Sequence, residues 1–169
     1  MSRKQIHLAT TSGNVLGASP YAWLDPQVDP TDYVNIHAVM RYAQAAERGK
    51  FDFIFLGDFL AQNPAQRGTL AEPDPRANRR GHRHRAGRAI GVVNTVSATF
   101  EEPYNIARVL KSLDVVSGGR MGWNAVTTSA PQAAANFGRR IDDRDTRYAR
   151  ADEVIQIVQA LWGSWEEDA

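Results

Sequence analysis

Four short runs rich in β-branched and aromatic residues alternate along this chain with stretches whose apolar residues recur at helical spacing. The strand-like runs are Ile6-His7-Leu8-Ala9-Thr10, Phe51 to Leu56, Val92 to Ser97 and Met121 to Thr128. Ile36, Val39, Ala43 and Ala46 form one helical stripe, Ile106, Leu110 and Leu113 a second, and Ala151, Val154, Ile155, Val158 and Leu161 a third. Strands separated by helices specify βαβ units and a parallel sheet. Parallel neighbours cannot be joined by a tight hairpin and need a crossover of about a dozen residues or more. Local punctuation places the helix ends. Asp29 before Pro30 predicts the start of the first helix and Gly49 its stop. Ser117-Gly118-Gly119 predicts the end of the second helix, and Asp145 the cap of the last.

One slot breaks the alternation. A crossover helix is required between the second and third strands, yet residues 76–88 read Arg-Ala-Asn-Arg-Arg-Gly-His-Arg-His-Arg-Ala-Gly-Arg. Through residue 89 the aliphatic side chains are Ala77, Ala86 and Ala89, so a helix here has no apolar face with which to cover a strand. The six arginines also set the charge balance. The chain carries 20 basic and 19 acidic residues, and without this segment 14 basic residues face the same 19 acids, a net of about −5. A basic cluster can mark a phosphate-binding or nucleic-acid arm. This one has no aromatic residue for base stacking and no recognition helix beside it, so specific nucleic-acid binding is not expected. Its composition is that of GC-rich coding sequence translated out of register, with the pattern resuming at Ile90-Gly91. An adjacent frame is then expected to encode an amphipathic helix rich in alanine and isoleucine.

The 169 residues suffice for one domain with a core, but not for a complete eight-stranded α/β barrel, which takes roughly 250. No run approaches the ~20 apolar residues of a membrane span. The basic N-terminus, Met1-Ser2-Arg3-Lys4-Gln5-Ile6, is not followed by an apolar stretch long enough for a signal peptide. Without cysteine there is neither a disulfide framework nor thiolate chemistry. The expected location is the cytoplasm. His7 and His37 have no partners at metal-ligand spacing, and His82 and His84 sit among arginines whose charge opposes a cation, so no metal site is expected.

A series of short motifs occurs in a fixed order. It runs from Glu47-Arg48-Gly49-Lys50-Phe51-Asp52 and Leu56-Gly57-Asp58 to Glu102-Pro103-Tyr104-Asn105-Ile106-Ala107-Arg108 and Ser112-Leu113-Asp114. Ser117-Gly118-Gly119-Arg120, Gly122-Trp123-Asn124 with Val126-Thr127, and Asn136-Phe137-Gly138 follow. Arg147-Tyr148 with Arg150-Ala151-Asp152-Glu153, then Leu161-Trp162 with Ser164-Trp165, complete the series. In this order and spacing the sequence resembles the bacterial-luciferase-like flavin-dependent monooxygenases, in the branch of the nitrilotriacetate, dibenzothiophene-sulfone and long-chain-alkane monooxygenases.

The resemblance covers nearly the whole chain except roughly residues 60–90, and it matches only the N-terminal part of the family's barrel. It implies an α/β fold of about four βα units, an incomplete N-terminal portion of a TIM barrel spanning residues 1–169, with segment 76–89 in place of the crossover helix between strands two and three. The implied chemistry has two components. A separate NAD(P)H-dependent flavin reductase supplies reduced FMN, O2 is activated as a flavin C4a-hydroperoxide, and one oxygen atom enters a small organic substrate. A truncated chain is expected, and a homo-oligomer at full length. The alternatives are a deazaflavin-dependent oxidoreductase of the same superfamily, or a non-catalytic remnant whose basic segment mediates association.

Four positions are implied as cofactor contacts; no residue is singled out as a catalyst. Asp58 ends the second strand, on the active-site face of such a barrel, where a carboxylate can accept a hydrogen bond from the flavin. Thr95 lies late in the third strand, with Ser97 and Thr99 at alternate positions on one face, and is placed against the flavin ring. Tyr148 and Arg144 fall at the start of the last helix, whose N-terminus favours phosphate. The family pattern has histidine where this chain has Arg144; arginine keeps a cationic donor for phosphate but cannot shuttle a proton. For Arg144 the alternative is surface pairing with Asp142, Asp143 and Asp145. Trp23, Trp123 and Asn124 are expected to line the site or pack beneath it.

Overall fold

The protein is seen in a computed structural model that describes residues 5–11, 24–29, 31–32, 35–61 and 89–164. Four strands, β1 (Ala9–Thr11), β2 (Phe53–Leu56), β3 (Gly91–Ser97) and β4 (Met121–Val126), form a parallel sheet in the order β1-β2-β3-β4. The helices are α1 (Ile36–Arg48), α2 (Pro103–Ser117), α3 (Pro131–Asn136) and α4 (Arg144–Trp162). Sequential parallel strands, with α1 between β1 and β2 and α2 between β3 and β4, are the winding of the first part of a TIM barrel, as the sequence predicts. Segment 76–88, which contains His82 and His84, lies outside the described residues, as do Trp23 and Trp165.

Side-chain alternation divides the sheet into two faces. Ile54, Leu56, Val96, Met121 and Trp123 face the helices. The larger cluster joins α2 to α4 through Ile106, Ala107, Leu110, Ala151, Val154 and Val158, with Val96, Met121 and Trp123 packed against it. Burying each large aliphatic side chain there contributes about 1.5–3 kcal/mol. A second cluster sets Ala43 and Ala46 of α1 on Ile54 and Ile90. Tyr42 anchors the same helix to β1, bonding the Thr10 side chain and donating to Thr11 O at 2.8 Å.

Several boundaries differ from the sequence expectation. The first helix starts at Ile36 rather than after Asp29, because the Asp29 carboxylate is taken by the Thr31 N–H and hydroxyl, while Asn35 accepts from His37 N at 3.0 Å and caps the helix. The last helix is capped by Asp143 rather than Asp145: its carboxylate reaches Thr146 N at 3.0 Å, whereas Asp145 already lies in the first turn. The first strand is limited to Ala9–Thr11, since Leu8 N–H donates to the Asp52 carboxylate at 2.7 Å instead of a strand carbonyl. His7 Nδ1 lies 3.2 Å from the other Asp52 oxygen, a structural contact at the N-terminal edge of the sheet. The fourth strand ends at Val126, whose carbonyl accepts from Ala98 N at 3.0 Å, and not at Thr128.

The Ser-Gly-Gly-Arg motif ends α2 as its glycines predict. Gly118 takes the left-handed conformation (φ 75°), and Arg120 folds back to donate to Ser117 O and Ile90 O, each at 2.7 Å.

Candidate functional site

The chain leaving β2, the C-terminal half of β3 and the chain leaving β4 converge on one cavity of about 510 Å³. Asp58, Thr95, Ser97 and Thr128 line it, and Ile106, Leu110 and Leu113 of α2 supply an apolar wall. Asp58 and Thr95, on adjacent strand ends, therefore share one rim.

Thr95 is only 6% exposed, and its Oγ1 accepts the Asn124 side-chain amide at 3.0 Å. A hydroxyl that accepts through its oxygen still carries its own proton, so Thr95 remains a donor. Ser97 Oγ and Thr128 Oγ1 are 2.8 Å apart and tie the end of β3 to the chain leaving β4. Thr99 does not share the Thr95–Ser97 face as the alternation implied. It falls in the turn beyond β3, where its N–H donates to Ser97 Oγ at 3.2 Å and its carbonyl accepts from Arg150 Nε at 3.1 Å.

Asn94 carries a signal that the sequence reading missed. It is 4% exposed, lines the same cavity, and its Oδ1 has no hydrogen-bond partner among the described residues. An unpaired buried acceptor costs about 1–3 kcal/mol, a cost that a donor entering the cavity would remove. An amide side chain inside a β-branched strand run was the available sequence clue.

Arg144 and Tyr148 are not among the described residues lining this cavity. They occupy the first two turns of α4, with the Arg144 guanidinium 5.4 Å from the Tyr148 ring centroid, a cation–π contact. The structure thus brings Asp58 together with Thr95, and Arg144 together with Tyr148, without bringing all four into one cavity. Trp123 lies on the helix side of the sheet, donating to Val96 O at 3.2 Å and meeting Trp162 edge-on at 6.4 Å; it is core, while Asn124 serves the Thr95 face. Among the described residues, no group of three or more His, Asp or Glu side chains is placed to hold a metal ion, and no helix is long and apolar enough to cross a membrane.

A parallel β/α winding with a largely apolar cavity that carries a few polar side chains near its C-terminal strand ends is the arrangement of a barrel-type scaffold. The sequence model of the luciferase-like monooxygenase family matches residues 19–168, and the chain belongs to that family. It is 37% identical to N-acetyl-S-(2-succino)cysteine monooxygenase of Bacillus subtilis, over 99% of this chain and 38% of that protein. The EDTA monooxygenase of a Chelativorans species superimposes with a TM-score of 0.84 at 33% identity, over 96% of this chain and 39% of that one. A riboflavin lyase solved with modified FMN and riboflavin gives a TM-score of 0.79 at 31% identity, over 98% of this chain and 40% of that one. Dibenzothiophene-sulfone, nitrilotriacetate and long-chain-alkane monooxygenases are further relatives, at 32% to 37% identity, which bears out the branch read from the motifs. The chain spans about two fifths of the length of the relatives it matches.

Proposed function

We propose that this chain forms the N-terminal part of the flavin seat of an FMN-dependent monooxygenase. The observation that carries the reading is the shared rim of Asp58 and Thr95. One edge of a flavin ring alternates N–H donors with carbonyl acceptors. Asp58 offers a carboxylate acceptor, and Thr95, its oxygen already engaged by Asn124, offers a donor. The donor set therefore fits the group.

Reduced FMN, when bound, supplies the electrons by which O2 is activated for insertion of one oxygen atom into a small organic substrate. The chain's own residues bind and orient: Asp58 and Thr95 fix the ring. Arg144 and Tyr148, at the N-terminus of α4, are proposed for the phosphate end. A separate NAD(P)H-dependent reductase is the proposed source of reduced flavin, and the cytoplasm the proposed location.

Anaerobic titration of the chain with reduced FMN, alongside a reduced deazaflavin, tests the reading. The expected result is one-to-one binding with a dissociation constant of about 0.1 to 1 mM, since four strand ends form only part of a barrel mouth. Asp58→Ala is expected to weaken it further. A preference for deazaflavin would move the assignment to the deazaflavin enzymes, and absence of binding to either flavin would overturn it.

A further inference from the structure

The Asn136-Phe137-Gly138 motif does not line the cavity, yet it holds one of its walls. α3 lies at the rim with Ala133 and Ala134 buried against Ala61 and Phe100. Phe137 stacks on Phe100, with ring centroids 4.7 Å apart and planes 10° from parallel. Gly138 (φ 64°) turns the chain in the left-handed region, so that Arg139 N bonds back to Ala134 O at 3.0 Å and the helix closes. Asn136, its last residue, reaches across to the loop after β2 and donates from Nδ2 to Leu60 O at 2.8 Å. The small cluster thereby joins the chain segments that follow β2, β3 and β4.

Leu60 lines the cavity two positions beyond Asp58. A carboxylate that must meet a ring edge within a few tenths of an ångström depends on the support of its main chain. We propose that Asn136 is a positioning residue: by fixing the main chain at Leu60, it keeps the Asp58 carboxylate in its place in the cavity that Thr95 also lines. This role rests on the flavin reading of the cavity. Asn136 is itself exposed, so its side chain adds little to the core.

Two variants of the full chain test the role. Asn136→Leu keeps the approximate shape and removes the donor, whereas Asn136→Gln keeps the donor. Three measurements apply: affinity for reduced FMN under anaerobic conditions, amide hydrogen exchange over residues 58–61, and the thermal midpoint. Asn136→Leu is expected to weaken FMN binding about three- to tenfold, to speed exchange in that loop, and to leave Tm within about 2 °C. Asn136→Gln is expected to recover most of the affinity. Unchanged affinity in Asn136→Leu, or a loss that merely follows a fall in Tm, overturns the positioning role while leaving the flavin reading intact. A wild-type chain that binds no reduced FMN overturns both.

Discussion

Asn124 on β4 donates its side-chain amide to Thr95 Oγ1 on β3 at 3.0 Å, and the two residues are direct partners in the parallel register. The bond orients a β-branched side chain that is already stiff at χ1, and it leaves the hydroxyl its proton and one further lone pair. Two neighbouring strands thus hold one hydroxyl at a cavity that Asp58 also lines.

Thr95→Val removes that donor at nearly constant shape. It is expected to weaken binding of reduced FMN about three- to tenfold, while Thr95→Ser stays within about twofold of wild type because the hydroxyl is retained. Anaerobic fluorescence titration distinguishes the two. Equal affinity in Thr95→Val and wild type would remove Thr95 from the flavin seat.

The Arg144–Tyr148 pair lies on α4 and outside the cavity lining, so its proposed role concerns the phosphate alone. Arg144→Ala is expected to lower affinity for FMN about tenfold, the order of a charge-assisted hydrogen bond, and to leave affinity for riboflavin unchanged. Paired titrations with the two flavins read the difference. If FMN and riboflavin are affected alike, the phosphate assignment falls.

Acid sensitivity follows from three exposed carboxylates, Asp29 with its Thr31 bonds being one. The Leu8 N–H, then the His7 side chain, hold Asp52 below the ordinary 3.8, and the Thr146 hydroxyl and N–H do the same for Asp143. On acidification the unfolded chain takes up these protons first. The stabilisation is therefore complete above 3.8 and is lost as pH falls through the depressed folded values. In urea unfolding from about pH 5 to 2, Asp52→Asn is expected to have a shallower loss of stability than wild type. An identical slope would deny Asp52 a share in it.

Lys50 occupies the left-handed region at φ 64°, immediately after the C-cap Gly49 of α1. A side chain pays a conformational penalty there that glycine does not. Lys50→Gly is expected to raise unfolding stability by up to about 1 kcal/mol, measured as a shift in urea midpoint at constant slope. A lower midpoint would show that the strain is outweighed by the entropy gained in the unfolded chain.

Much of the scaffold can be read from local pattern because its causes are local. The expected strand Val92–Ser97 and helix Pro103–Val116 match Gly91–Ser97 and Pro103–Ser117 within a residue, since Pro103 and Gly118 punctuate the ends chemically. Caps were harder where acceptors compete. Asp29, Asp32 and Asn35 all offer a side-chain oxygen, as do Asp142, Asp143 and Asp145, and which one meets a free N–H depends on where the chain leaves the preceding segment. The six residues of α3 went unseen for another reason: a helix this short has no stability of its own, and it persists because Ala133 and Ala134 bury against Ala61 and Phe100 from distant segments.

The sequence by itself determined the alternation of two periodicities, hence a parallel sheet backed by helices, and its ordered motifs determined the family. Only the tertiary structure decided that Asp58 and Thr95 line one cavity, that Asn94 has an acceptor with no partner among the described residues, and that Arg144 stacks on Tyr148 outside the described lining. Periodicity assigns a residue to a face of its own strand or helix. Which faces meet depends on inter-strand register and on packing at the rim, and those are properties of contacts between residues far apart in the chain.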